Sequence, residues 1–288
     1  MWNLLITGLP RSGTTITYEL IARSNRGKAL FLYEPFASPI FEYYKIRGYF
    51  PKFHDYLDVT HDYDKLPNDI LNLIINNNWL IRYVKGKEPY LGKYCFEILN
   101  KLNNLNHNIV IKDLYLWVIT EDILKHFKDL KIIFTYREVD GLCKAFLKWF
   151  RENPITFTQN VKTSLSKVKK YSIREIITKL HKVPNVLKYI LLNHKQRINY
   201  MYGLSPYVKY FNLEKPNKIN EETLVKVVKQ VHEVYKDFIK KIENKYSDRV
   251  FILKLEELQE NPSHVVNKLN NFLKPIFEIR NYNIVKKC

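Results

Sequence analysis

Five short runs of apolar and β-branched residues recur along the chain, and they predict β-strands. Several of these runs lack the alternation of a half-exposed strand, so we expect strands that are buried on both faces of a parallel sheet. Stretches with a helical spacing of apolar residues lie between them, for example residues 14–24 and 120–127. Alternating strands and helices predict βαβ units and an α/β fold. The predicted strands span residues 2–7, 29–33, 109–112, 131–136 and 250–255.

The middle of the chain, from about residue 146 to residue 246, lacks a comparable series of strands. Prolines interrupt a pattern that is otherwise helical. We interpret this region as a mainly helical insertion within one α/β domain that spans residues 1–288. Another helix is predicted near the end of the chain, where Asn261 can cap the helix and Pro262 suits its first position. Its predicted apolar face consists of Val265, Val266, Leu269 and Phe272.

The clearest motif is the sequence GLPRSGTT at residues 8–15, which follows the first predicted strand and precedes the first predicted helix. That context is typical of a phosphate-binding loop. Glycine lets the backbone approach phosphate oxygens, and the start of the helix offers N–H groups and a positive dipole. The alternative is an ordinary strand–turn–helix junction.

This loop differs from the kinase loop GxxxxGK[ST] at one decisive position. Thr14 occupies the place of the phosphate-binding lysine, and the basic residue, Arg11, lies three positions earlier. A kinase neutralises a highly charged phosphoryl group with lysine and Mg²⁺. A sulfuryl group in transfer carries less charge, so a few hydrogen-bond donors can serve it, and we expect no metal site.

With this loop, the chain resembles the sulfotransferases that use 3′-phosphoadenosine 5′-phosphosulfate. The resemblance implies a P-loop NTPase-like parallel sheet flanked by helices, with that nucleotide as the co-substrate. Arginine at position 11 looks more like bacterial and carbohydrate-modifying members, because many cytosolic members have lysine there. By resemblance, the 5′-phosphosulfate is held by Arg11, Ser12, Gly13, Thr14 and Thr15.

A second signature of the family has an arginine after a central strand and a serine eight residues later. Arg137 follows the predicted strand 131–136, but the eighth position after it is Ala145. We expect Arg137 to bind the 3′-phosphate and a nearby lysine, Lys144 or Lys148, to supply charge in place of the serine. The alternative for the arginine is a surface ion pair with Glu138 or Asp140.

Candidate catalytic groups follow two further strands. Glu34 comes directly after the second predicted strand, and Lys112 ends the third. The carboxyl ends of parallel strands gather at one edge of a sheet, so we expect both side chains beside the phosphate loop. Some carbohydrate sulfotransferases use a glutamate as the base, and by this resemblance we assign Glu34 as the base and Lys112 and Arg11 as catalytic cations. The alternatives are a capping or surface role for Glu34 and a magnesium-binding role for Asp113.

The composition narrows the class of protein. Apolar residues make up 46% of the chain, which excludes a disordered protein. The chain contains no run of 18 or more apolar residues, so we expect no membrane span. The N-terminus shows no signal-peptide pattern. Three scattered cysteines predict neither a disulfide framework nor a zinc site, so we expect a cytoplasmic location. The net charge of +18 is spread along the chain without a nucleic-acid module, so we expect no nucleic-acid partner.

Three functions follow as hypotheses. The first is a sulfotransferase that moves a sulfuryl group from 3′-phosphoadenosine 5′-phosphosulfate to a hydroxyl group, on a carbohydrate or glycolipid. The second is a nucleotide or small-molecule kinase of P-loop fold, which predicts Mg²⁺-dependent ATP binding. The third is a non-catalytic protein that binds polyanions through its basic surface.

Overall fold

The structure, a computed structural model, describes residues 2–36, 60–76, 81–82, 90–91, 95–152, 204–214 and 220–280. Internal contacts divide the chain into two compact units. The first comprises Met1–Leu142 with His232–Cys288, and the second comprises Cys143–Val231. A single domain with a helical insertion over residues 146–246 stays a prediction, because most of that range lies outside the described residues.

The strands of the described residues are β1 (Trp2–Gly8), β2 (Leu30–Tyr33), β3 (Ile81–Arg82), β4 (Tyr90–Leu91), β5 (Ile109–Lys112), β6 (Lys131–Tyr136) and β7 (Val250–Lys254). The α-helices are α1 (Thr14–Ser24), α2 (Asn68–Asn76), α3 (Cys95–Asn103), α4 (Thr120–His126), α5 (Val139–Glu152), α6 (Ser205–Tyr210), α7 (Glu221–Lys245), α8 (Leu255–Glu260) and α9 (Pro262–Leu273). Within the same described residues, 3₁₀ helices span Tyr63–Lys65 and Leu116–Ile119.

Five strands form one parallel sheet in the order β2-β5-β1-β6-β7. Every residue of β1, β2 and β5 is buried, which explains why these segments lack alternation in the sequence. Burying one leucine or isoleucine side chain contributes about 1.5–3 kcal/mol, so the buried strands contribute strongly to stability. The α/β fold, with a parallel sheet flanked by helices, is confirmed, and β3 with β4 adds a short antiparallel pair.

The register of the sheet sets the position of the candidate site. Lys112 at the end of β5 lies opposite Ile6 of β1 on one side and Tyr33 of β2 on the other. Gly8 at the end of β1 lies opposite Thr135 of β6. The carboxyl ends of these four strands therefore share one edge, where ligands of open α/β sheets bind.

Helix α9 begins as the sequence predicts. The side chain of Asn261 accepts a hydrogen bond from the backbone N–H of His264 at 3.3 Å, and Pro262 is the first helical residue. The buried face differs slightly from the prediction, because Leu273 is buried and Phe272 is only half-buried, with its ring 5.5 Å from that of Phe251. No helix in the described ranges is long and apolar enough to cross a membrane.

Candidate functional site

The turn between β1 and α1 contains two residues with left-handed backbone conformations. The φ angle of Gly13 is 96° and that of Arg11 is 68°. A non-glycine residue in this region costs about 1–3 kcal/mol, so the surrounding structure must hold Arg11 in place. Residues 8–15 therefore form a tightly bent loop between the strand and the helix.

Gly8 begins the loop, and the neighbouring strand leaves no room there for a side chain. A Cβ atom at this position would lie 2.7 Å from the carbonyl oxygen of Thr135 and closer still to its hydroxyl. The carbonyl belongs to the central sheet and cannot withdraw as a flexible side chain can. Glycine is therefore needed for the loop to start against β6.

The hydroxyl of Ser12 forms hydrogen bonds within the protein. It donates a hydrogen bond to the carbonyl oxygen of Leu9 at 2.6 Å and lies 2.7 Å from Oγ1 of Thr135. The backbone N–H of Ser12 donates to the same Leu9 carbonyl at 3.2 Å. In this conformation Ser12 fastens the loop to β6, and its role as a phosphosulfate ligand stays a prediction.

The N-terminus of α1 differs from those of the other long helices. Gly13 at its N-cap supplies no capping side chain, and no acidic residue lies in the first turn. The other described helices of eight or more residues have either an acidic residue in the first turn or, in α9, the Asn261 cap. The first turn of α1 therefore places no carboxylate of its own against the positive end of the helix dipole. Such an end suits an anion.

Tyr33 connects the loop to the end of β2. Its hydroxyl lies 3.1 Å from Oγ1 of Thr15, and the Nζ atom of Lys112 lies 4.3 Å from the centre of its ring. Thr14, the preceding loop residue, is buried. Sequence reasoning did not identify Tyr33, and its only signal was its place directly before Glu34.

Glu34 and Lys112 form an ion pair at the carboxyl ends of β2 and β5. The side chain of Lys112 is 1% exposed and that of Glu34 is 16% exposed. Burial acts to lower the pKa of Lys112, but the carboxylate of Glu34 and the hydroxyl of Tyr33 outweigh burial and raise it. Lys112 therefore stays charged at neutral pH. The sequence predicted both residues at this edge but did not predict that they pair.

Arg137 follows β6 and contacts the loop. Its Nη1 donates a hydrogen bond to the carbonyl oxygen of Arg11 at 3.2 Å. Its Nε lies 3.8 Å from Oε1 of Glu256 in α8. Nε2 of His232 donates a hydrogen bond to the backbone carbonyl oxygen of Arg137 at 3.0 Å. The ion pair of Arg137 is therefore with Glu256, and not with Glu138 or Asp140, the partners named in the alternative interpretation.

Comparison with protein families decides the class of this site. A family model described as a sulfotransferase domain matches residues 3–287. The chain belongs to the sulfotransferase domain family. It is also similar to the solved sulfotransferase domain from the Synechococcus PCC 7002 olefin synthase, with 11% identity and a TM-score of 0.44 over 99% of this chain and 76% of that chain. A comparison with curated proteins found no match.

In this sulfotransferase, the first unit brings together most of the predicted site residues. The phosphate loop, Glu34, Lys112 and Arg137 are linked by the contacts described above. Lys144 is exposed on α5 and belongs to the second unit. Its role in binding a phosphate stays a prediction.

Both carboxylate oxygens of Asp113 are used in hydrogen bonds within the protein. It is fully buried, and its Oδ1 and Oδ2 accept hydrogen bonds from the backbone N–H groups of Tyr115 at 2.8 Å and Phe36 at 3.1 Å. Burial raises the pKa of this carboxyl to about 7. Within the described parts of the chain, no group of three or more His, Cys, Asp or Glu side chains is arranged to hold a metal ion.

The close approach at Gly8 predicts a large effect of one methyl group. Gly8→Ala is expected to lower the free energy of unfolding by about 3 kcal/mol, because overpacking against fixed backbone forces the strand or the loop to move. Gly27→Ala is a suitable control, since no atom lies within 4 Å of the added methyl and only the φ of 79° opposes it. The control is expected to cost about 1 kcal/mol. Equal urea midpoints for the two variants would show that the approach of β6 is unimportant.

Proposed function

We propose that this sulfotransferase transfers a sulfuryl group from 3′-phosphoadenosine 5′-phosphosulfate to a hydroxyl group of a carbohydrate or glycolipid. The observation that carries the proposal is the arrangement of the phosphate loop, the Glu34–Lys112 pair and Arg137 at the carboxyl edge of one sheet. Family membership supports sulfuryl transfer in general, and the nature of the donor and acceptor is the step that we add.

The loop suits the 5′-phosphosulfate of this donor. Glycine at positions 8 and 13 keeps the bend free of side chains, and the first turn of α1 offers N–H groups to an anion. The guanidinium of Arg11 would add positive charge, and the hydroxyls of Thr14 and Thr15 would add donors. Because the transferred group carries little charge, these groups would serve without a metal ion.

The reaction that we propose is a single displacement at sulfur. The acceptor oxygen forms a bond to sulfur while the bond from sulfur to the 5′-phosphate oxygen breaks, and adenosine 3′,5′-bisphosphate leaves. Glu34 takes the proton of the acceptor hydroxyl, as a general base. Lys112 and Arg11 stabilise the negative charge that develops on the departing phosphate. Positioning and electrostatics supply the rate, without a covalent enzyme intermediate.

Arg137 would bind the 3′-phosphate of the donor, with Lys144 supplying further charge. The contact of Arg137 with the Arg11 carbonyl supports this role, because it keeps the guanidinium beside the loop that would bind the other end of the nucleotide. Arginine also suits phosphate, since its planar fork can donate two parallel hydrogen bonds.

Arg137→Ala is expected to remove the preference for a 3′-phosphate. The unmodified protein should bind adenosine 3′,5′-bisphosphate more tightly than 5′-AMP, and the variant should reduce that ratio by about 30-fold, equivalent to about 2 kcal/mol for a charge-assisted contact. The ratio of the two affinities isolates the 3′-phosphate contact, because any shift of the phosphate loop would change the affinities for both nucleotides alike. Arg23→Ala, which removes an arginine paired with Glu19 in α1, should leave the ratio unchanged. Equal affinity of the unmodified protein for the two nucleotides would refute the assignment.

The class of acceptor is proposed from the same motif residues. Arginine at position 11 and a glutamate after the second strand are similar to carbohydrate-modifying members of the family. We also propose that the protein acts in the cytoplasm without a nucleic-acid partner, on the grounds of its few scattered cysteines and its evenly spread lysines.

A transfer assay tests the proposed function. The protein is incubated with donor labelled with ³⁵S in the sulfuryl group and a panel of sugars, glycolipids and phenols. The expected result is label on a sugar or glycolipid hydroxyl, with one adenosine 3′,5′-bisphosphate released for each sulfate ester formed. Label only on phenols would overturn the acceptor class and keep the donor. Phosphorylation of an acceptor from ATP and Mg²⁺, with no sulfate transfer, would replace the proposal with a kinase.

A further inference from the structure

The turn that carries Glu34 is held by two consecutive residues, Lys112 at the end of β5 and Asp113 directly after it. The backbone N–H of Glu34 donates to the carbonyl oxygen of Lys112 at 2.6 Å. Two residues further on, the backbone N–H of Phe36 donates to Oδ2 of Asp113 at 3.1 Å. Between these two hydrogen bonds, Glu34 has a φ angle of 52°. A glutamate costs about 1–3 kcal/mol in this conformation, so the turn needs both attachments to keep it.

Asp113 also connects this turn to the strand that leads into the phosphate loop. Its backbone N–H donates to the carbonyl oxygen of Ile6 in β1 at 3.0 Å. Its second carboxylate oxygen accepts the N–H of Tyr115 at 2.8 Å, which fixes the plane of the carboxylate. The side chain is fully buried, so it has no direct access to a substrate in solution.

We propose that Asp113 is a positioning residue for Glu34: its carboxylate holds the turn of residues 34–36 so that the Glu34 side chain stays at the sheet edge, next to Lys112. The inference rests on the proposed function, in which Glu34 is the base. It goes beyond that function because it assigns a role to a buried carboxylate that contacts neither the donor nor the acceptor.

The protonation state of Asp113 matters for this role. The titratable groups that interact electrostatically with it are Glu34 from the turn, Lys112 from β5, Cys95 from α3 and Tyr63 from the 3₁₀ helix. Burial raises the pKa values of Cys95 and Tyr63, so both are neutral at pH 7. Burial also raises the pKa of Asp113 to about 7. An ionised carboxylate accepts both backbone N–H groups, whereas a protonated one presents a hydroxyl donor to one of them.

Asp113→Asn reproduces the protonated state at every pH, because an amide likewise offers one acceptor oxygen and one donor group. The ratio of wild-type to variant turnover is therefore expected to be close to 1 at pH 6 and to rise to about 10 above pH 8, since misplaced catalytic groups lose rate steeply. The dissociation constant of adenosine 3′,5′-bisphosphate should not change. A matched control is Asp62→Asn. Oδ2 of Asp62 accepts a hydrogen bond from the backbone N–H of Phe31 at 2.9 Å, and Phe31 lies in β2, the strand that precedes the Glu34 turn.

Three measurements decide the inference. The wild-type to Asp62→Asn ratio should stay near 1 at every pH, and a ratio near 1 at every pH for Asp113→Asn as well would overturn the inference. Glu34→Gln separates the two claims: if that variant keeps its turnover, the proposed base is wrong, and the inference falls with it. If Asp113→Asn does not fold, the test is instead an NMR titration of the wild-type protein that follows the backbone amide resonance of Phe36. That resonance should shift with a midpoint near pH 7, and the absence of such a shift between pH 6 and pH 8 would also overturn the inference.

Discussion

Glu34→Gln is expected to lower the turnover of sulfuryl transfer by about 10²- to 10⁴-fold, the usual contribution of a general base. Glutamine keeps the size and shape of glutamate but cannot accept the proton of the acceptor hydroxyl. Affinity for adenosine 3′,5′-bisphosphate should change little, because the carboxylate would face the acceptor rather than the phosphates. The measurement is the initial rate with a saturating donor and an acceptor found in the transfer assay.

The structure requires that this rate be expressed per folded molecule. Lys112 is buried beside Glu34, so the substitution also removes the charge partner of a buried cation and is expected to lower the melting temperature. Glu19→Gln provides a matched control, since Glu19 is a buried glutamate paired with Arg23 in α1. That control should lose stability and keep its turnover. If Glu34→Gln behaves in the same way, Glu34 is a structural residue and the base lies elsewhere.

Lys112→Met is expected to lower the free energy of unfolding by about 3 kcal/mol, because removing one partner of a buried pair leaves the other charge uncompensated. The value lies at the lower end of the usual range, because Glu34 keeps 16% of its side-chain exposure. The contact of the ammonium with the ring of Tyr33 is lost as well. Turnover should also fall, since the cation that stabilises the departing phosphate is absent. Urea denaturation measures the first effect and the transfer assay measures the second.

A double variant separates stability from catalysis at this pair. Lys112→Met combined with Glu34→Gln contains no unpaired buried charge, so it should recover part of the stability that Lys112→Met loses. It should recover none of the turnover. Lys101→Met, which breaks an exposed pair with Asp69, should hardly change the urea midpoint. If the two stability losses simply add in the double variant, Glu34 and Lys112 do not interact as the structure shows.

The sheet could be predicted from the sequence because its strands are short and apolar, and three of them, β1, β2 and β5, are buried on both faces. The differences lie at strand ends. Strand β1 continues to Gly8, because that residue still pairs with Thr135. Leu255 begins α8 instead of ending β7. The pair of β3 and β4 was not predicted, since each strand has only two residues and two residues show no periodicity.

Part of the site could be predicted in the same way. The loop was found from its glycine-containing motif between a strand and a helix. Glu34 and Lys112 were placed beside it because the carboxyl ends of parallel strands meet at one edge, and that rule depends only on strand positions. The contact between Tyr33 and Thr15, the Asp113 bond to Phe36 and the pairing of Arg137 with Glu256 depend on the paths of turns. The spacing of apolar residues does not determine the course of a turn, so these contacts could be identified only from the structure.

Calorimetry with adenosine 3′,5′-bisphosphate and with ATP, each with and without Mg²⁺, distinguishes a sulfotransferase from a kinase without the need for an acceptor. For a sulfotransferase that uses 3′-phosphoadenosine 5′-phosphosulfate, we expect the bisphosphate to bind equally well with and without Mg²⁺ and to raise the melting temperature of the protein. Tight binding of ATP only in the presence of Mg²⁺, with no heat from the bisphosphate, would contradict this expectation.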